Sequence, residues 1–138
     1  MFGKLNERGF ATLEVILMIT VLGILSAVAI PRFNAITNSA NTAKVQADLS
    51  TLDTAIALYQ MDNGQAPTQI SDLADYVQDV TNLKPPSGSV YINGTVTNLS
   101  TNATYGIKTV NNNPRASLDD HTSEEFTKNS NTSGSTSS

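Results

Sequence analysis

One carboxylate, Glu14, stands inside the run FATLEVILMITVLGILSAVAI, which from Phe10 to Ile30 is otherwise almost wholly apolar. An ionised side chain in such a run is unfavourable by roughly 2.5–3.5 kcal/mol on membrane-insertion scales, so its presence calls for a use. Gly9 immediately precedes the run. Hydrolysis after it would leave a protonated amine on Phe10, about one helical turn from Glu14. An amine and a carboxylate at that separation neutralise each other. If such helices pack side by side, Glu14 of one reaches the Phe10 amine of its neighbour, and the pairing offsets the penalty of burying either charge. The chemistry is that of assembly with a fixed axial register.

A second constellation lies near the other end of the chain, where Asp119, Asp120 and His121 are followed by Glu124 and Glu125. Oxygen ligands for calcium would come from Asp119, Asp120, Glu124 or Glu125, set against the plainer expectation of a solvated acidic loop without metal. His121 is the only histidine, cysteine is absent, and no Gly-x-Ser-x-Gly turn accompanies the serines. Neither nucleophilic catalysis nor a thiolate metal site is expected, and no cofactor is implied.

The element that must position Glu14 follows from length. About 20 apolar residues suffice for a helix to cross the hydrocarbon of a bilayer, and Phe10–Ile30 has that length. Lys4 and Arg8 precede it and Arg32 follows. This bias favours a single-pass chain with a cytoplasmic N-terminus and an exported C-terminal part. Three readings of the segment stay open on these grounds: a signal peptide cut after Ala27-Val28-Ala29, a simple signal anchor with Glu14 snorkelling outward, or a leader cut at Gly9 with the apolar run retained. The first gives a discarded peptide no reason to carry Glu14, and the second does not explain the residues before Phe10.

The string MFGKLNERG, then Phe10, then glutamate at the fifth place after Gly9, resembles the leader and mature start of type IV prepilins and type II secretion pseudopilins. The order Phe-Ala-Thr-Leu-Glu departs from the family's more usual Phe-Thr-Leu-Ile-Glu while keeping the carboxylate at its distance. The resemblance implies cleavage after Gly9, N-methylation of Phe10, assembly through Phe10 and Glu14, and helix softening at Gly23 and Pro31. It further implies a prepilin peptidase, an assembly ATPase, membrane platform proteins and other copies of the chain or related pilins as partners. Location would run from the cytoplasmic membrane to an extracytoplasmic filament. A weaker resemblance, to the end of the long helix and following loop in major pseudopilins, lies in LYQMDNGQAPT, Leu58 to Thr68.

Beyond Pro31, Val45, Leu49, Leu52, Ile56 and Tyr59 recur at four- and three-residue spacing, the stripe of an amphipathic helix that serves as a core face. Asp62-Asn63-Gly64 and Pro67 end it. Ser71 would cap a short helix through about Val80, with Leu73, Val77 and Val80 inward. Val90-Tyr91-Ile92 and Thr95-Val96-Thr97 flank Asn93-Gly94, a pair suited to a type I′ hairpin, and a third strand is expected across Thr104 to Val110. The fold class is therefore α+β, a long N-terminal helix packed against a small antiparallel sheet.

The expected organisation is leader 1–9, membrane and polymerisation segment 10–31, amphipathic helix 32–61, head 62–110, and a polar tail 111–138, partly or wholly disordered, with a loop or edge strand around Phe126 allowed for. The whole chain has 8 basic and 12 acidic residues; without Lys4, Glu7 and Arg8 the balance is 6 to 11, a formal −5. That sign, with no basic patch, argues against direct nucleic-acid binding.

Overall fold

The computed structural model describes residues 3–130. One long helix, α1 (Gly3–Asn63), is followed by strands β1 (Ser89–Ile92), β2 (Thr95–Asn98), β3 (Tyr105–Val110) and β4 (Asn113–Leu118), with short 3-10 turns between and after them. The described chain divides into two compact units, one ending at Ile36 and the other beginning at Thr37. The α+β class expected from the sequence is the one observed.

In the first unit every side chain from Glu7 to Ile36 is exposed. Phe10, Leu17, Leu22 and Ile30 are 58–70% exposed. Such a surface is stable only where apolar matter covers it, and the helix is long and apolar enough to cross a membrane. Its hydroxyls are suited to that setting. Thr20 Oγ1 donates to the Ile16 carbonyl and Ser26 Oγ to the Leu22 carbonyl, each at 2.7 Å, so neither needs a partner outside the helix. Pro31 lies inside α1 rather than ending it.

In the second unit the apolar stripe is the core face, as the spacing predicts. Val45, Leu49 and Leu52 are 0% exposed and Ile56 is 1%. Gly64, at φ 67°, receives the helix end in the left-handed conformation. The expected helix from Ser71 to Val80 is replaced by two 3-10 turns, Ile70–Leu73 and Val80–Asn82. The cap is Gln69 rather than Ser71. The Asp72 carboxylate accepts from the Thr68 and Gln69 N–H groups at 2.9 and 3.1 Å, and Asp79, at φ 55°, breaks any continuation. Leu73 and Val80 are nonetheless buried as expected.

Two separate antiparallel hairpins stand where a three-stranded sheet was expected. β1 pairs with β2 around Asn93 and Gly94, both at positive φ, the requirement of a type I′ turn. β3 pairs with β4 around Asn111 and Asn112, at φ 50° and 64°. The head thus extends beyond the expected boundary at 110, and the polar tail expected from 111 begins instead with a strand. Ala116, Leu118 and Phe126 are all 0% exposed and join the same core as the α1 stripe. The NSNTSGSTSS end, from Asn131 onward, lies outside the described residues.

Candidate functional site

Gly9, Phe10 and Glu14 all lie within α1, so the Gly9–Phe10 peptide bond is helical in the intact chain. A peptide bond in that conformation must be locally unwound before a peptidase can take it up. Hydrolysis there would remove the carbonyl acceptors of the first retained turn, leaving unpaired N–H groups and a new amine at the positive end of the helix dipole. Glu14 lies one turn in, where its charge is favoured. It shares a face with Leu17, Met18, Val21 and Leu22, which follow it at helical spacing and line an open apolar groove with it.

Gly23 and Gly9 have space around them. A Cβ added at either meets nothing within 4 Å, so no contact inside the chain demands glycine. In a helix interior glycine is generally less favourable than alanine by about 1 kcal/mol. Pro31 has no N–H to offer the carbonyl of Ala27.

The acidic residues near His121 are assigned other work. Asp119 and Asp120, at φ 46° and 68°, form a two-residue turn closed by reciprocal 2.9 Å backbone bonds between Leu118 and His121. Glu124 accepts from Arg115 at 2.8 Å, and Glu125 meets His121 Nδ1 at 3.0 Å and the Thr122 N–H at 2.8 Å. Burial pushes the Glu125 carboxyl up, but the Thr122 N–H and His121 outweigh it and hold the group below its ordinary range. Among the described residues no three acidic or histidine side chains converge on one point. The four calcium candidates are therefore not gathered into a cage.

The same segment is instead a strap. Phe126 enters the core, the Asn93 N–H donates to the Glu125 carbonyl at 2.7 Å, and the Gly94 N–H donates to the Thr127 carbonyl at 2.9 Å. Residues after β4 thereby lie against the turn of the β1–β2 hairpin. A Cβ on Gly94 would stand 3.0 Å from the Ser130 nitrogen, a close approach that, with φ 83°, requires glycine.

Sequence reasoning missed the polar links between α1 and the head, among them those of Thr42, Asp48 and Asp53. Thr42 Oγ1 accepts from the Tyr91 N–H at 2.8 Å. Asp48 accepts from the Tyr105 hydroxyl and from Lys44, each at 2.6 Å. Asp53 accepts from Arg115 Nε and Nη2 at 3.1 and 3.0 Å and, through its other oxygen, from the Ala116 N–H at 2.7 Å. The available signal was position: Thr42, Asp48 and Asp53 flank the apolar stripe, where a polar side chain borders the buried face.

A long apolar-fronted helix with a small antiparallel head defines an α+β protein whose exposed N-terminal surface requires a lipid or protein partner. Among curated proteins, the chain is 33% identical to type II secretion system core protein G of Klebsiella michiganensis over 63 residues, 46% of this chain and 44% of that one. It is 36% identical to the protein of the same name from Klebsiella pneumoniae over 63 residues, 46% of this chain and 45% of that one. It is also 34% identical to the type IV narrow pilus major component PilA5 of Thermus thermophilus over 64 residues, 46% of this chain and 55% of that one. The resemblance to pseudopilins and type IV pilins read from the N-terminal residues is thus matched by curated relatives of both kinds over about half of this chain. The matched region spans about half the length of those relatives. No family model matches the chain. No solved structure matches it.

Proposed function

We propose that this chain is a structural subunit of a pilus or secretion pseudopilus. It is inserted in the membrane as a precursor with its N-terminus in the cytoplasm, trimmed after Gly9, and polymerised through the apolar helix into an extracytoplasmic filament. The observation that carries this reading is Glu14, a lone carboxylate within the exposed apolar run of α1 from Phe10 to Ile30, one turn from the bond whose hydrolysis would create its counter-charge. Relatives named as a secretion-system core protein and as a pilus component support it. In this reading Phe10 is methylated, Gly23 and Pro31 let the helix adjust its path, and the head forms the filament surface. A prepilin peptidase, an assembly ATPase and platform proteins act on it from the membrane and cytoplasm.

Mass spectrometry of the mature N-terminus is the deciding measurement. N-methylated Phe10 is the expected result, and a chain beginning at Ile30 would replace the filament reading with a cleaved signal peptide. An intact leader on mature protein would instead mark a membrane-anchored binding protein that does not polymerise.

A further inference from the structure

Three hydroxyls lie in the apolar run, and one of them differs from the others in where its partner sits. Thr20 and Ser26 donate to the carbonyls of Ile16 and Leu22, both retained after cleavage at Gly9. Thr12 Oγ1 donates to the Arg8 carbonyl at 2.9 Å, and Arg8 belongs to the leader. Hydrolysis of the Gly9–Phe10 bond carries that acceptor away. The mature chain has no carbonyl four residues before Thr12, so its hydroxyl emerges as an unpaired donor in an apolar setting, where an unmade hydrogen bond is unfavourable.

At about 100° per residue, Thr12 and Glu14 lie about 160° apart around the helix, on nearly opposite flanks. A helical polymer uses heterologous contacts, in which one patch of a subunit meets a different patch of the next. A carboxylate on one flank and a donor on the other meet that requirement. The Phe10 amine, being main chain at the helix end, is confined to neither flank.

We infer that Thr12 is a cleavage-released donor that binds the Glu14 carboxylate of an adjacent copy, sharing it with the Phe10 amine. The leader thereby masks one half of the subunit contact as well as the amine. This rests on the filament reading above. Carboxylate oxygens each accept more than one hydrogen bond, so the amine and the hydroxyl do not compete for a single site.

The test compares Thr12→Val, which keeps the shape and removes the hydroxyl, with Thr12→Ser, which keeps the hydroxyl, and with Thr20→Val, whose hydroxyl already has an internal partner. Each full-length variant is scored for its mature N-terminus by mass spectrometry and for filaments sheared from cells. Thr12→Val is expected to begin at Phe10 like the wild type but to yield about five-fold fewer filaments or less, as befits one lost hydrogen bond per contact. Thr12→Ser and Thr20→Val are expected to stay near wild type. Wild-type yield from Thr12→Val, equal loss in Thr12→Ser or Thr20→Val, or failed processing of Thr12→Val would each overturn the inference. A wild-type N-terminus elsewhere than Phe10, or filaments unaffected by Glu14→Ala, would overturn the filament reading itself and is scored separately.

Discussion

Tyr105 and Glu125 are titratable groups held in the head by opposite logic. Burial and then the adjacent Asp48 carboxylate push the Tyr105 phenol well above its ordinary value of 10. The fold disfavours the phenolate, so this contribution is complete below about pH 10 and declines as pH rises above it. For the detergent-solubilised chain, Tyr105→Phe is expected to be less stable by about 1–3 kcal/mol at pH 7, since it leaves Asp48 short of a donor. The gap to wild type should narrow in urea titrations above pH 10. Glu125 works the other way, its folded value lying below the ordinary 4.5. Its contribution is full above that value and is lost as pH falls through the lowered one. Glu125→Gln should therefore flatten the acid limb of the stability profile, and an unchanged limb would assign acid sensitivity to other carboxylates. Tyr105 did not stand out in the sequence, because the carboxylate that perturbs it is distant along the chain: Asp48 lies 57 residues away.

At the scale of elements, regular patterns were legible and irregular ones were not. The stripe from Val45 to Ile56 and the Asn93-Gly94 hairpin announce themselves by period and turn chemistry. β4 does not. Asn113 and Pro114 open it in a stretch whose composition reads as loop, and only the alternation of Ala116 with Leu118, after the turn-forming Asn111-Asn112, marks a strand. The helix expected from Ser71 differs for local reasons: Asp72 moves the start to a cap on Thr68 and Gln69, and Asp79, at positive φ, breaks any continuation before the second turn. The strap was legible only as a loop or edge strand around Phe126, because that one apolar anchor sits among polar residues that give no sign of its place in the core. Phe126→Ala should lower the unfolding free energy by about 3–5 kcal/mol, the usual effect of emptying a full aromatic site. Gly94→Ala should also destabilise, through its positive φ and the backbone of Ser130. Urea midpoints within error of wild type for both would show that the strap does not hold the head.

For the whole molecule, the division at residues 36 and 37 separates two kinds of stability. The head has its own buried core, whereas the first unit has no buried side chain among those described, from Glu7 to Ile36, and is stabilised by whatever surrounds it. Substitutions should sort accordingly. Glu14→Ala is expected to leave membrane insertion and the head's urea midpoint unchanged while abolishing filaments, and Phe126→Ala should do the reverse of the first part, weakening the head in detergent. A Glu14→Ala chain that still forms filaments in wild-type amounts would remove the assembly role of that carboxylate. The sequence disclosed the first unit well because a membrane-length apolar run with one charge needs no tertiary context to be read.

The strap also fixes an order of events in time. Phe126 follows every other core side chain in the sequence, from Val45 to Leu118, so a chain delivered progressively from the long helix onward supplies it last. Until it arrives, the two hairpins face a gap of aromatic size and the turn at Asn93-Gly94 lacks its carbonyl partners. If the head is exported as proposed, its completion would report that export has passed residue 127, and a chain stalled earlier would present an open core rather than a finished head.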